Sequence, residues 1–562
     1  MSPARAARLL AGVSLGLCLA TAAPAYADVP YAADIDSSTW VDHDARPIPP
    51  PKEREISLYG YMFHQAIVEP ITHLFDVPDK LIWVMSPLGV SRERHAANVN
   101  SFDEVPNSAW FTNRNHIRSV PTEEIRTGPF GGVVPTKPWT VSDLKTSGYN
   151  VGFQIKDAEG RKWLVKLDPP NYPRCGSGAG TVVSRLVWAA GYNLALYQPV
   201  TFRREDLKLK SATTKLASTT GTTPAPSKEK PPITEEQLEG LLARGAHSAD
   251  GRYYGGASFF LPGKPAGPPD LHGRRKDDPN DWYRHKNRRE LRGLYVVYSW
   301  LNNWDVKDQQ SLDMYGPPEK EAHLTHYILD VDGSLGAAAE GPKPLAYGYE
   351  MRVDFPWTLK RLVTLGFVNE PWRKAKQETG IPSVGNFGSD RFNPNRWRPL
   401  EEVPPFRKLT PRDAYWGAKV VASFSDAQIA AAVDAAGYED PRAREYILRT
   451  LAERREKIAR YWFDRVAPLD FFHVEGNTLS FHDLALDRGL TGPREYEVEI
   501  DASGQSGIPE RTRLQGTQMA LPEGAATKLS LTLSVSGSKA KPVRVELKRS
   551  GSSWVLYRIR HA

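Results

Sequence analysis

One stretch constrains this chain more than any other. "RRELRGLYVVYSW" (288–300) has the apolar spacing of a helix, and "LNNWDVKDQQSLDMY" (301–315) follows it directly. Eleven residues after Tyr315, "HYILDVDGSLG" (326–336) begins, an extended apolar run that ends in acidic residues. The chain must therefore carry Asp305, Lys307 and Gln310 in a polar loop after a helix, and Asp330 and Asp332 at the end of a strand.

Upstream, "YNVGFQIKD" (149–157) and "KWLVKLDPP" (162–170) read as two strands joined by the turn "DAEG". A helix is predicted over 181–193, with Val182, Leu186 and Ala189 or Ala190 on one face and Gly191 as its C-terminal cap. "GSGAGTVV" (176–183) reads as a loop opening that helix. Phosphate binding through free N–H groups is the alternative, though the segment lacks the Lys-Ser/Thr of a P-loop. Further helices are predicted at about 356–366, 410–437 and 440–466. From about 494 the pattern changes to period two, as in a small β module.

The 562 residues include 40% hydrophobic and 10% aromatic residues, enough for a sizeable core. Formal net charge is +7, with acidic and basic residues interspersed and no dense basic stripe, so nucleic acid is not indicated as a partner. Residues 1–27 read as a signal peptide: Arg5 and Arg8, the apolar run "LLAGVSLGLCLATAA", then Ala25-Tyr26-Ala27 as a cleavage site. The expected location is thus exported, periplasmic or secreted, with no membrane span after cleavage. Only Cys175 would remain, so no intramolecular disulfide forms, and no nearby histidine marks it as a nucleophile. The 13 His include no H-E-x-x-H and the chain has no G-x-S-x-G, which removes the signatures of zinc and serine hydrolases.

Phosphoryl transfer needs a cation on the phosphates, carboxylates for a divalent metal and a carboxylate near the acceptor. This chain offers candidates in that order: Gly148 and Gly152 at the first strand, Lys166 in "WLVKLDP", then Asp305, Lys307, Gln310 and Asp330. Each alone has a plainer reading. A strand lysine often snorkels, and "DVDG" commonly makes a turn.

From about 98 to 485 the chain resembles a family of exported, largely uncharacterised bacterial proteins. They are distantly similar to atypical protein kinases of the HipA-like, spore-coat protein H-like and secretory-pathway groups. The resemblance is carried by "NVNSFDEVPNSAWFTNR", "GYNVGFQIKDAEGRKWLVKLDPP", "AAGYN", "RRELRGLYVVYSWLNNWDVKDQQSLDMY", "YILDVDGSLG", "DAYWGAKVVASFSDAQI" and "PLDFF". It implies an α+β fold with a bilobal kinase-like core, a helical C-terminal extension and a small terminal β module. The implied segments are leader 1–27, N-terminal extension 28–135, first part of the N-lobe 136–205, low-complexity insertion 206–235, remaining core 236–485 and β module 486–562. It further implies ATP with Mg²⁺ or Mn²⁺ as cofactors and a protein or glycan acceptor in the cell envelope. Asp305 and Lys307 would be catalytic, Gly148, Gly152 and Lys166 would hold nucleotide, and Gln310, Asp330 and Asp332 would hold metal.

The chain departs from the kinase pattern in three places, of which the first two remove a function and the third could supply an extra metal carboxylate. Gly180 stands where a glutamate should pair with Lys166, Gln310 replaces an asparagine, and Asp332 replaces a glycine. A catalytically inactive kinase-like scaffold is therefore the rival expectation. A glycan- or peptide-binding protein, using the Trp-rich region 356–416, is a third.

Overall fold

The computed structural model describes residues 37–55, 95–145, 150–210, 232–316, 322–367, 370, 372, 378–502, 510–523 and 526–561. The expected leader, Gly148 and residues 211–231 of the low-complexity insertion lie outside the described residues.

The chain is a mixed α/β protein with a sheet-rich core. The first sheet contains β1 (Trp139–Leu144), β2 (Gly152–Lys156), β3 (Lys162–Leu167), β4 (Tyr197–Phe202), β5 (Leu207–Leu209) and β6 (Tyr253–Phe259), in the order β4-β6-β3-β2-β1-β5. Pairing is antiparallel except between β1 and β5. The β2–β3 turn forms because Asp157 accepts from the backbone N–H groups of Glu159 and Arg161, the local bonding that makes Asp a turn residue. Phe153, Ile155, Trp163 and Val165 bury one face of the hairpin, joined by Leu238 and Leu242.

Across the sheet lies helix α1 (Cys175–Ala189), against β4 and β6. Two further helices are α2 (Glu235–Leu242), which supplies Leu238 and Leu242, and α3 (Arg289–Leu301). A three-stranded sheet of β7 (Lys264–Pro265), β8 (Ser311–Tyr315) and β9 (Leu324–Ile328) follows α3 in space, and β10 (Ala337–Ala338) pairs with β11 (Gly341–Pro342). The next helices are α4 (Phe355–Val363), α5 (Pro411–Ala422), α6 (Asp426–Asp434) and α7 (Pro441–Phe463). α3 packs on α5 and α7, and this helical body shares one core with α1.

The remaining strands are β12 (Leu469–Glu475), β13 (Thr478–Asp483), β14 (Tyr496–Ala502), β15 (Glu510–Leu514), β16 (Gln518–Ala520), β17 (Lys528–Val535), β18 (Val543–Ser550) and β19 (Ser553–His561). They form sheets ordered β12-β13-β16 and β15-β14-β17-β18-β19 around one shared core. The period-two pattern is realised most cleanly in β17, where Leu529, Leu531, Leu533 and Val535 are buried and their neighbours are not.

Two sequence expectations are corrected. The predicted helix over 410–437 is two helices: Ser425 caps α6 by accepting from Gln428 N–H while the Gln428 side chain returns the bond. "SDAQ" is thus a capping box inside an apolar run. The glycine-rich stretch is not a loop before a helix but the first turns of α1, which begins at Cys175. Its N–H groups are not free for phosphate, since Asp168 accepts from the backbone of Arg174 and of Ser177 and from the Ser177 hydroxyl.

Candidate functional site

The β2–β3 ladder sets Lys166 opposite Gly152. A Cβ on Gly152 would come 2.4 Å from the Val165 carbonyl oxygen, so close backbone packing at this point demands glycine. Lys166 is buried, and its Nζ lies 2.8 Å from Asp330 Oδ1 and 3.0 Å from Asp332 Oδ2.

The second half of the site grows from the end of α3. Asn302 closes that helix in the left-handed conformation, and its side chain accepts from the Trp397 indole. Trp304 donates to the Ala337 carbonyl, and its own carbonyl accepts from Leu400 N–H, which fixes the loop that bears Asp305. The chain then turns through 308–310 into β8. Because Ser311 pairs with Ile328, Leu329 N–H reaches the Gln310 carbonyl, and Asp330 arrives beside the loop. Asp305 receives Lys307 Nζ at 3.0 and 3.2 Å and Gln310 Nε2 at 2.6 Å.

Asp305, Lys307, Gln310 and Asp330 consequently line one cavity of about 20 Å³, together with Asn303. Seven of the eight residues singled out in the sequence are described: Lys166, Asp330 and Asp332 form one cluster, Asp305, Lys307 and Gln310 another, and Gly152 adjoins Lys166 in the ladder. Gly148 lies outside the described residues.

Burial opposes the charge on Lys166, but the two aspartates outweigh it and raise its pKa above the ordinary lysine value. Burial likewise opposes ionisation of Asp330, and Lys166 more than compensates, holding that carboxyl below its usual range. Burial and then the Asp330 charge push Asp332 up to about 7. With Asp332 protonated the trio is neutral, and with it ionised the trio carries one net negative charge.

The position of the missing glutamate has a physical explanation. A Cβ on Gly180 would lie 2.8 Å from the Tyr197 ring, and one on Gly256 would lie 2.1 Å from it. The two glycines make a slot for this buried ring, whose hydroxyl points to Asp332 Oδ2 at 3.4 Å. Tyr197 therefore fills the space next to the site, and Lys166 takes its counter-charges from Asp330 and Asp332. Sequence reasoning missed Tyr197, although "YYGGAS" in a strand signals a close approach by a bulky neighbour. It also missed Asn150, whose Nδ2 donates to Asp332 at 3.1 Å, and Asn303.

The side-chain amide oxygens of Asn150, Asn303 and Gln310 are buried and have no hydrogen-bond partner among the described residues. Oxygen acceptors beside carboxylates suit a hard cation such as Mg²⁺ or Mn²⁺. Gln310 and Asn303 with Asp330 fit such an ion. Asp332 fits it only after Lys166 lets go. Among the described residues, no group of three or more His, Cys, Asp or Glu side chains is arranged to hold a metal. Cys175 is buried, which pushes its thiol pKa up and leaves it inert. No described helix is long and apolar enough to cross a membrane.

No protein-family model matches the chain, and no curated protein matches it. Two solved structures are weakly similar. A Golgi casein kinase with Mn/ADP bound is 11% identical, with 74% of this chain and 94% of that chain covered and a TM-score of 0.29. A second Golgi casein kinase structure is 10% identical, with 75% and 96% covered and a TM-score of 0.27. Likeness at this level assigns no residue a role.

Proposed function

We propose that the chain is an exported kinase-like protein with a bilobal core, whose cleft binds a nucleoside triphosphate together with a divalent cation. The observation that carries this reading is the convergence of Lys166, Asp330 and Asp332 with the loop bearing Asp305 and Gln310. These residues come from separate segments of the sequence, and their chemistry is that of phosphoryl transfer. In this reading Lys166 binds phosphate oxygens, and Asp330, Gln310 and Asn303 hold the cation, with Asp332 joining once Lys166 is released. The cation would neutralise charge on the transferring group. Asp305 orients the acceptor hydroxyl, supplied by a protein or glycan of the cell envelope, and Lys307 steadies the moving phosphoryl group.

A second reading, a kinase-like scaffold without turnover, is favoured by one observation. The cavity of about 20 Å³ has room for an ion or a water and not for a nucleotide, and the surrounding charges already satisfy one another.

A thermal-shift titration of the purified chain with ATP, ADP and GTP, with and without Mg²⁺ or Mn²⁺, tests the binding. At a hundred times its dissociation constant a nucleotide should stabilise the protein by about 2.7 kcal/mol, and Lys166→Ala should abolish this. No shift with any nucleotide would overturn the first reading. If nucleotide binds, turnover that disappears in Asp305→Asn would rule out the scaffold.

A further inference from the structure

The outer face of β18 and β19 carries an arrangement that folding alone does not explain. The ladder sets Arg544 directly opposite Arg560, and Glu546 opposite Arg558. Like charges directly opposed across two strands destabilise a sheet. Glu546 is the carboxylate that serves this group, lying 3.6 Å from Arg544 and 3.5 Å from Arg558. It leaves three guanidinium groups sharing one carboxylate. Arg560 is exposed, and its side chain makes no ion pair or hydrogen bond among the described residues. Arg412, on the same concavity, is already committed to Asp103.

These arginines line a hollow of about 590 Å³ to which no carboxylate contributes. Alternate residues on one strand face stand about 6.6 Å apart, and neighbouring strands about 4.8 Å apart. Arg544, Arg558 and Arg560 therefore spread their charge over more than one small anion can span. Among the described residues the lining contains no Trp, Tyr or Phe on which a base could stack and no exposed large apolar side chain that could enter a lipid surface, and the neighbouring Tyr557 ring is taken up by Arg558 over its face and by a bond from its hydroxyl to Glu546. Guanidinium forks match sulfate and carboxylate groups in bidentate fashion.

We propose that this hollow is a binding site for an anionic polysaccharide, with Arg544, Arg558 and Arg560 each engaging a charged group on neighbouring sugar units. The site is separate from the Lys166 cleft and does not depend on its function. The like-charge pair is the structural cost that accompanies this binding.

The test uses the full chain at fixed ionic strength. Calorimetric titration with a sulfated hexasaccharide should give saturable binding that weakens at least tenfold in Arg560→Ser. Arg513→Ser, which removes a guanidinium at the other edge of the same sheet, should leave it unchanged. Without ligand, Arg560→Ser should melt at the same temperature as the wild type or higher, since it relieves repulsion and, unlike a change at Arg544, which donates to the Ser530 hydroxyl, breaks no hydrogen bond or ion pair among the described residues. Four outcomes would overturn the proposal: no binding, equal weakening by Arg513→Ser, equal affinity for a single-stranded DNA hexanucleotide, or half-saturation by inorganic sulfate at the same concentration as by the hexasaccharide. A lower melting point for unliganded Arg560→Ser would also count against it, by giving the pair a structural purpose.

Discussion

Two of the buried charge clusters among the described residues differ in what they leave over. The first joins the segment 98–114 to α3, α5 and the C-terminal strands. There Asp103 accepts from Arg289, Arg412 and both the backbone N–H and ring of His561. Lys419 lies between Glu104 and Asp470, which also accept from Trp416 and Tyr415. Among the side chains just named, what remains unpartnered is a donor, one nitrogen of Arg289, and the neutral His116 ring beside Lys419 has both nitrogens unpartnered. The second cluster is the Lys166 cleft, where the unpartnered atoms are acceptors: the amide oxygens of Asn150, Asn303 and Gln310. A network whose carboxylates each have several donors is complete in itself and works as a bolt between segments. A cluster with spare acceptors beside the Lys166 and Lys307 ammonium groups is complete only when a cation or donor arrives.

The difference sets an order of expected effects. The largest belongs to the bolt. Asp103→Ala or Lys419→Met leaves opposite charges buried without partners and should cost about 3–5 kcal/mol in denaturant unfolding. Burial opposes the charge on Asp103, but Arg289, His561 and Arg412 outweigh it and hold its pKa well below 3.8. Its contribution is therefore present above that unfolded value and lost as pH falls through the lower folded one.

A third buried lysine sharpens the contrast because burial opposes its charge. Lys343 donates to the carbonyls of Tyr347 and Pro344, and burial followed by the Arg454 charge pushes its pKa down from 10.5 to about 7. Between those values the unfolded chain binds the extra proton, so stability rises with pH across the window and is lost as pH falls through about 7. The swing is on the order of a few kcal/mol. Lys343→Met should flatten this part of a stability profile measured by urea unfolding from pH 6 to 10.

Lys166→Met should cost less than Lys419→Met, about 1–3 kcal/mol, because Asp332 can take up a proton and the Asp330 side chain is 34% exposed. Equal losses in the two variants would erase the distinction between bolt and cleft. The smallest effect is expected for Gln310→Asn. It breaks the bond to Asp305 at a cost of about 0.5–1.5 kcal/mol, and it should strengthen Mn²⁺ binding measured by calorimetry.

Local elements were readable because their causes are local. The Asp157 turn, the long amphipathic run of α7 and the alternation in β17 each follow from side chains within a few residues of one another. α7 was expected over 440–466 and spans Pro441–Phe463. The glycine-rich start of α1 was misread for the opposite reason. Its glycines answer to distant rings, with Gly178 facing Tyr438 and Gly180 facing Tyr197 at distances that exclude a Cβ. Nothing within the segment itself reveals those partners, and helix propensity alone argues against five residues so rich in glycine.

The same division runs through the candidate site. The sequence alone determined which residue types were available and in what order: a strand lysine, a loop aspartate with its lysine and amide, and a pair of aspartates after a strand. Only the tertiary structure decided which of them meet. Lys166 and Asp330 are 164 residues apart, and their contact depends on the first sheet packing beside the β8–β9 hairpin. It likewise decided that Tyr197 fills the space beside Gly180, and that Arg544 faces Arg560 across a ladder. Spacing along the chain fixes periodicity and turns, because those depend on bonds a few residues long. Counter-charges, cavities and close approaches depend on how separate elements pack, and that is set by burying all of their apolar faces at once.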